Sequence, residues 1–512
     1  MINIALLKSR RNTHSVFFLV FFCLNLNVYS QGLNHNWLIG YNFSPGSLKG
    51  RILIDSSTIT VLSEQRKMPF SKSTQATISD SNGILLMSSN GVWIADATND
   101  TMMNGDSLSP NSFTNSEPDG LPLPNGNIFL PMPDDSNKYI LFHQTGNYNS
   151  GSLLSSTEIY YSIIDMSFNG GLGKVVSKNN IALNGLFGWG LGACKHGNGR
   201  DWWIIAMSDS GNIAYKFLLT HNTVTYMGSQ NLQVPAYEGW AGQPTFSPDG
   251  NYFALTNYDI SSGFYLQDVR FLQFDRCNGI FSNPVVVNLP DSNAGFTVAF
   301  SPNSKLLYVA SVWNIYQFNT DSAYTNPQLI NVAVNDSFAD PFPPVYALFD
   351  FAYLGANGKI YLTTGNTTHY IHAIEYPDNI GMACSVQQHS ILLPCYHGQA
   401  VPNHPNYYLG RLVGSPCDTL TGINDLAVYD FKFSISPNPN NGNFRIMYLL
   451  PQNKSGTLQI FDITGKEIYH QNLPPWSTLQ YISLPKIADG VYQCTITSNN
   501  QRVNKKLVVY KE

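Results

Sequence analysis

A repeat dominates the middle of this 512-residue chain. Six times a short β-forming run meets a turn of Gly, Asn, Asp or Ser and then a strongly apolar strand: residues 78–83 before 84–87, 134–137 before 139–142, 196–199 before 202–205, 247–250 before 252–255, 301–304 before 306–309, and 355–358 before 360–362. Counted between Gly83, Asn137, Gly199, Gly250, Ser304 and Gly358, the spacings are 54, 62, 51, 54 and 54 residues. Gly and Asn belong there because tight hairpins require positive φ, which other residues adopt at a cost.

A third strand follows the hairpins, as at 160–165, 270–275, 315–319 and 371–375, and then a weaker fourth, as at 285–289 and 328–332. Four antiparallel strands per unit of about fifty residues predict β-propeller blades. One such sheet cannot bury both faces and must pack radially against its neighbours. Strands at 37–41, 51–55 and 58–62, with 407–412 supplying a missing strand, make a further unit from the two ends of the repeat. The expectation is therefore seven blades closed by pairing across the ends, which covers edges that would otherwise template aggregation. Two stacked sandwiches explain neither the period nor the split unit. Composition agrees: only 12% of residues are charged, and 29 Tyr, 29 Phe and 8 Trp favour strands over helices.

The first thirty residues read as an address. Lys8, Arg10 and Arg11 precede the apolar run 16–24, and Val28 and Ser30 sit at small-residue positions before a cleavage point. Residues 1–30 are thus expected to be a signal peptide, with a mature start near Gln31. Asn25 and Asn27 break the run short of the ~20 apolar residues that a span needs. Phe22 before Cys23 does not fit a lipobox, and no later stretch is long enough to cross a bilayer. Cleavage removes three basic charges and takes the formal charge from −5 to −8, which argues against nucleic acid as a partner. Cys194, Cys277, Cys384, Cys395, Cys417 and Cys494 remain. Cys494 alternates with Tyr492 and Ile496 on one strand face and is expected to be a buried free thiol. Spacing suggests bridges among Cys384, Cys395 and Cys417.

After the propeller at 31–415 and a polar linker at 416–432, residues 433–512 differ in kind, with eight Lys and Arg against four acids beyond Lys432. Strands at 444–449, 456–462, 467–471, 480–483, 490–497 and 505–510 predict a small Ig-like β-sandwich. The blocks Ser436-Pro-Asn-Pro-Asn-Asn-Gly442, Ile460-Phe-Asp-Ile-Thr-Gly-Lys466, Asp489-Gly-Val-Tyr492 and Lys505-Lys-Leu-Val-Val509 closely resemble, in order and position, the type A C-terminal sorting domain of the type IX secretion system. Pro437, Asn438, Pro439, Gly442, Asp462, Gly465, Lys466, Gly490 and Tyr492 match its pattern. Lys505 and Lys506 match its basic tail, either as direct contacts or as a solvated edge that discourages strand pairing. As structural devices, Pro437 and Pro439 fix an extended approach, and Gly442 and Gly465 supply left-handed turns. The resemblance implies export through the periplasm, recognition by the outer-membrane translocon, and removal of the tail by a sortase-like peptidase. The product would be secreted or attached to surface lipopolysaccharide.

Phe246-Ser-Pro-Asp-Gly250 and Phe300-Ser-Pro-Asn-Ser304 resemble hairpins of WD40-like propellers, without the Gly-His and Trp-Asp pairs of true WD40 repeats. Gly197-Asn-Gly-Arg-Asp-Trp-Trp203, Phe274-Asp-Arg-Cys-Asn278 and Pro402-Asn-His-Pro-Asn-Tyr-Tyr-Leu-Gly410 resemble segments of exported Bacteroidota propellers. This likeness covers roughly 32–415 and supports a fold more than an activity.

No Gly-x-Ser-x-Gly elbow, His-Glu-x-x-His, P-loop or Cys-x-x-Cys occurs, so no catalytic residue, metal or cofactor is expected. Gly188-Trp-Gly-Leu-Gly192 reads as a turn. His369, His372, His389, His397 and His404 lie within 36 residues, but His369 and His372 are three apart and face opposite ways on a regular strand. Asp96, Asn99, Asp100, Asn104 and Asp106 miss the EF-hand spacing and read as a solvated loop. Two functions remain. One is a non-enzymatic module binding a glycan, peptide or protein over one face of the ring. Trp189, Trp202, Trp203, Trp240 and Trp313 are its stacking candidates, core packing being the alternative for each. The other is an extracellular lyase, hydrolase or oxidoreductase at the central channel. Charged side chains converging from three or more blades would mark the enzyme, and an aromatic, uncharged rim the binder.

Overall fold

The computed structural model describes residues 32–511 except 42–46, 56–57, 71, 149–153, 238–241, 260–265, 292–296, 342–343, 400, 419–432, 437, 449–454, 474–478 and 499–500. The signal-peptide assignment lies outside them. The described chain is all-β, with one four-residue helix at Ser112–Asn115 and two short 3-10 turns.

All six expected turns join antiparallel strands. Asp80 Oδ1 accepts from the backbone N–H groups of Asn82 and Ile84 (2.8 and 2.9 Å), and the Ser247 and Ser301 hydroxyls accept from Tyr252 and Leu306 N–H, both at 2.9 Å. Such side-chain caps satisfy turn amides that no ladder reaches. Positive φ falls on Gly83, Gly199, Gly250, Ser304 and Gly358, but on Asp134 rather than Asn137 in the remaining turn.

Each turn follows an inner strand: Ala76–Ser79, Asn127–Pro131, the end of Lys174–Lys195, Thr245–Phe246, Val298–Phe300 and Ala352–Leu354. Each packs beside the next in chain order. Sheets extend outward from them, as where Thr245–Phe246, Tyr252–Asp259, Leu266–Asp275 and Ile280–Asn288 pair in sequence order. Apolar faces meet between sheets: Phe271 lies 6.3 Å from Phe300 and 5.7 Å from Phe318, centroid to centroid, amid buried Val269, Val298 and Leu307. The first sheet returns to the last where Trp37 meets Tyr353 and Tyr361 edge-on at 6.2 and 5.6 Å. Circular order of this kind is a β-propeller-like arrangement.

Lys174–Lys195 pairs with Leu154–Asp165 through its first part and with Trp202–Ser208 through its second, merging two units into one seven-stranded sheet. The glycine run 188–192 lies inside this strand and is not the expected turn. A Cβ on Gly192 would come within 2.8 Å of Pro244 O, and one on Gly190 (φ +83°) within 3.1 Å of Pro124 O. Glycine here permits close approach of inner strands rather than chain reversal.

Closure also departs from expectation. Asn36–Ile39, Lys49–Ile54 and Ile59–Glu64 form the first sheet, but residues 407–412 contain no strand. Asn36–Ile39 starts at the turn end, where Ser79 N–H donates to Leu33 O at 3.0 Å and a Cβ on Gly83 would meet His35. It therefore runs opposite to Ala76–Ser79. The place beside these strands, at the axis, is taken by coil from Val401 onward. Asn403 Nδ2 donates to Leu191 O (2.7 Å), Asn406 Nδ2 to Pro248 O (2.7 Å) and the Tyr407 hydroxyl to Phe129 O (3.0 Å), while His404 Nε2 lies 2.9 Å from Thr77 O. Pro402 and Pro405 have no N–H to give a ladder, so side chains make the bonds. Cys277 is bridged to Cys417. That corrects the expected pairing, since Cys384 and Cys395 are buried free thiols, as are Cys194 and, in line with expectation, Cys494.

The C-terminal part has two sheets. Phe433–Ser436, which the sequence reading did not anticipate, pairs with Asn443–Tyr448 and then Leu479–Ser483. The second has the order Glu467–Leu473, Gly456–Phe461, Gly490–Ser498, Gln501–Val509. Phe444, Ile446, Leu458, Ile460, Ile496 and Leu507 are buried in their common core.

Candidate functional site

The motif residues of the C-terminal part interlock its two ends. Asn438 Nδ2 donates to Lys506 O and Asn438 Oδ1 accepts from Val508 N–H, both at 2.8 Å. Asn440 N–H donates to Val508 O (3.0 Å), and Tyr510 N–H returns to Asn440 O (2.8 Å). The first block thus covers the open edge of the last strand, which a bare edge would leave free to pair with other chains. Pro439 is exposed beside Asn438, and Pro437 lies outside the described residues. Gly442 has φ +93°, and a Cβ on it would stand 2.6 Å from Leu484 O. Gly465, at φ +85°, has open space around it and closes the hairpin in which Asp462 Oδ1 accepts from the N–H groups of Thr464 and Lys466 (2.9 and 3.0 Å). The Thr464 hydroxyl and then those N–H groups hold the Asp462 carboxyl below its usual range. The Tyr492 hydroxyl donates to Ala488 O at 2.8 Å, over Gly490. By contrast Lys466, Lys505 and Lys506 are exposed. Lys505 and Lys506 lie across the pair from Cys494 and Gln493 and border a groove with Ile463, Val491 and Arg502.

In the ring, the three stretches that resemble exported propellers converge. Arg276 donates through Nε to Lys195 O (2.9 Å) and through Nη2 to Gly410 O (2.5 Å). Gly197 N–H and the Trp203 indole N–H both donate to Arg276 O (2.9 and 2.8 Å), and Leu412 N–H donates to Gly197 O (2.7 Å). A Cβ on Gly197 would lie 2.3 Å from Cys417 Sγ, so only glycine fits. This junction anchors the closing segment and accounts for the shared motifs by structure. Toward the other end of the axis the Tyr353 hydroxyl donates to Asn125 Oδ1 at 3.0 Å. Burial there pushes the Asp350 carboxyl up to about 7 against a Gln399 hydrogen bond.

The remaining candidates separate. Trp202 and Trp203 are core residues, with the Lys195 ammonium 4.0 Å above the Trp202 ring. Trp189 is half-buried with its indole N–H on Leu154 O (3.0 Å), and Trp240 lies outside the described residues. Trp313 is half-buried against the exposed Tyr346. His372, His397 and His404 are buried or nearly so, and burial holds His372 and His404 down at about 4. His369 and His389 sit on different carboxylates, Asp340 (2.9 Å) and Asp336 (2.8 Å). Among the described residues no group of three His, Cys, Asp or Glu is placed to hold a metal ion. The polar groups of the 96–106 loop have protein partners: Asp96 caps Thr98, Lys67 pairs with Asp100, Asn104 donates to Val175 O and Lys178 pairs with Asp106, while Asn99 takes positive φ. Sequence reasoning missed Asp350 and Tyr346, which carry no motif. Arg276 was within reach, inside a quoted block.

No curated protein matches the chain. Among solved structures it is similar to a putative 6-phosphogluconolactonase from Bacteroides uniformis ATCC 8492, 14% identical over 72% of this chain and 99% of that one, TM-score 0.40. It is also similar to a functionally unknown protein from Desulfotomaculum acetoxidans DSM 771, 11% identical over 72% and 99%, TM-score 0.39, and to a Bacillus subtilis glycoside hydrolase family 43 arabinoxylan arabinofuranohydrolase, 10% identical over 75% and 94%, TM-score 0.29. No helix among the described residues is long and apolar enough to cross a membrane. Residues 434–510 match the family described as Secretion system C-terminal sorting domain, which marks this chain for export to the cell surface or secretion.

Proposed function

We propose that the mature chain is a seven-bladed propeller over residues 31–415 that binds a glycan, peptide or protein on the face opposite its six turns, without catalysing a reaction. The Ig-like tail behind it is the detachable sorting signal. Seven follows if coil from Val401 onward fills the inner position of the first sheet, whose three strands then occupy the second to fourth places. The observation that carries the binding reading is the lining of the axis: Asn403, His404, Asn406 and Tyr407 bond to backbone of neighbouring units, and the cavity of about 130 Å³ left beside them has no Asp, Glu, Lys or Arg in its lining. A propeller enzyme assembles its site from several blades around that axis. Here the chain's own coil narrows that space to an uncharged cavity, and Asp350 contributes a buried carboxyl to the far end. In the tail, Asn438, Gly442, Asp462, Gly465, Gly490 and Tyr492 build the shape, while Lys466, Lys505 and Lys506 touch the translocon or the peptidase. Whether the product is released or joined to lipopolysaccharide is set by that peptidase.

The test is recovery of ligand after capture. Glycan and peptide arrays probed with the full mature chain should yield a ligand that returns chemically unchanged at one equivalent or less. Multiple-turnover conversion of the captured ligand would establish the enzyme instead.

A further inference from the structure

The face opposite the turns carries an aromatic pair, Trp313 and Tyr346, borne on densely hydrogen-bonded backbone. Ser311 pairs with Asn314, so Val312 and Trp313 form a two-residue hairpin turn. Val312 has φ +54°, in the region where glycine is the usual occupant and a β-branched side chain is strained. The turn is nonetheless held firmly. Asp291 accepts from the Ser311 hydroxyl (2.6 Å), Asn314 Nδ2 (2.7 Å) and the Tyr316 hydroxyl (3.1 Å). Phe349 N–H donates to Val312 O (2.9 Å) and Asn335 N–H to Trp313 O (2.8 Å). The Trp313 ring is thereby presented to Tyr346, centroid separation 5.9 Å and interplanar angle 61°.

Tyr346 is fixed just as deliberately, though half of its surface is exposed (50%). It ends a short excursion, Ala339–Pro341 paired with Pro344–Tyr346, between two units of the ring. Asp340 in that excursion accepts from His369 N–H and Nδ1 (2.6 and 2.9 Å), Asp336 pairs with His389 Nε2 (2.8 Å), and Phe338 stacks on the His389 ring at 4.1 Å. Asn366 Nδ2 donates to Tyr346 O at 2.9 Å. The backbone that carries both rings is thus fixed before any ligand arrives, which lowers the ordering cost of binding.

We propose that Trp313 and Tyr346 form a binding corner for a neutral sugar ring, an inference that rests on the binding-module reading above. The carboxylates nearby are engaged by Ser311, Asn314, Tyr316, His369 and His389, so the corner presents aromatic carbon framed by the side-chain amides of Asn314, Asn331 and Asn366. Flat apolar surface beside neutral amides complements a pyranose, which has a C–H face and a rim of hydroxyls. The carboxylates of Asp291, which meets only neutral donors, and of Asp336, which is exposed, disfavour an anionic polymer there. The strain at Val312 sets the position of Trp313, and relaxing the turn should move it.

The experiment uses the full mature chain on an array of neutral oligosaccharides and on peptide arrays, followed by calorimetric titration of the strongest neutral oligosaccharide. Trp313→Ala and Tyr346→Ala should each weaken binding about tenfold or more. Trp313→Phe should recover most of it, and Tyr376→Ala, an exposed tyrosine (60%) at the turn end, should change nothing. Val312→Gly should weaken binding without lowering Tm, a readout that stands even if an alanine variant folds poorly. A neutral glycan bound equally by both alanine variants overturns this corner and leaves the binding module intact. Capture of peptides alone overturns the sugar class. Turnover of the captured oligosaccharide overturns both readings.

Discussion

Asp350 shows how one buried group leaves a trace in bulk stability. Its carboxyl is pushed up to about 7 by burial, against roughly 3.9 in an unfolded chain. Between these values the folded state binds more protons than the unfolded one, so stability falls as pH rises from about 4 to about 7 and stays low above that. Asp350→Asn mimics the protonated acid. It should flatten this slope and raise the midpoint of thermal unfolding at pH 8 while leaving pH 4 almost unchanged, as differential scanning calorimetry can check. The tail glycines give a second contrast. Gly442→Ala adds a methyl 2.6 Å from Leu484 O on top of a left-handed φ, whereas Gly465→Ala meets open space at a similar φ. The first should cost several kcal/mol and the second only about 1 kcal/mol, and protease resistance of the tail should rank them in that order.

At the scale of elements, the closing segment is the part most exposed to test. The Cys277–Cys417 bridge spans 140 residues of sequence, and a loop of that length is worth roughly 4 kcal/mol or more to the folded state in the chain-entropy view. Cys277→Ser with Cys417→Ser should therefore lower Tm, and stopping the chain at residue 397 should expose the inner strands and cause aggregation by light scattering, while stopping at 418 should not. The turns were legible because positive φ and side-chain caps restrict which residues can occupy them. Gly83, Gly199, Gly250 and Gly358 announce themselves for that reason. The closing coil was legible only in part. Its presence at the far end followed from counting strands, but Asn403 and Tyr407 bond to backbone carbonyls, and a carbonyl acceptor leaves no mark on the residue that owns it. Gly190 and Gly192 misled because glycine serves close packing as readily as chain reversal. The Cys277–Cys417 pair could not be chosen from spacing, since it depends on the Arg276 junction that brings residues 196–197, 276–277 and 410–417 together. The aromatic corner was visible only as a tryptophan among others, because its partner Tyr346 and the strain at Val312 exist only in three dimensions.

For the whole molecule, the acidic ring and the basic tail are two objects with separate tasks. The ring keeps itself shut with its own downstream coil and a disulfide. That suits a protein leaving the cell for an oxidising environment. The tail uses Asn438 and Asn440 to cover its last strand and leaves Lys466, Lys505 and Lys506 exposed. Replacing all three by Gln should leave the tail folded, yet lower the amount of protein reaching the surface several-fold in cell fractionation. The central claim is that the tail alone directs a self-sufficient ring across the outer membrane, and the direct measurement is the location of a chain lacking residues 433–512. The account predicts a folded, protease-resistant ring confined to the periplasm. Recovery of the truncated chain at the surface or in the medium in normal amounts would contradict it.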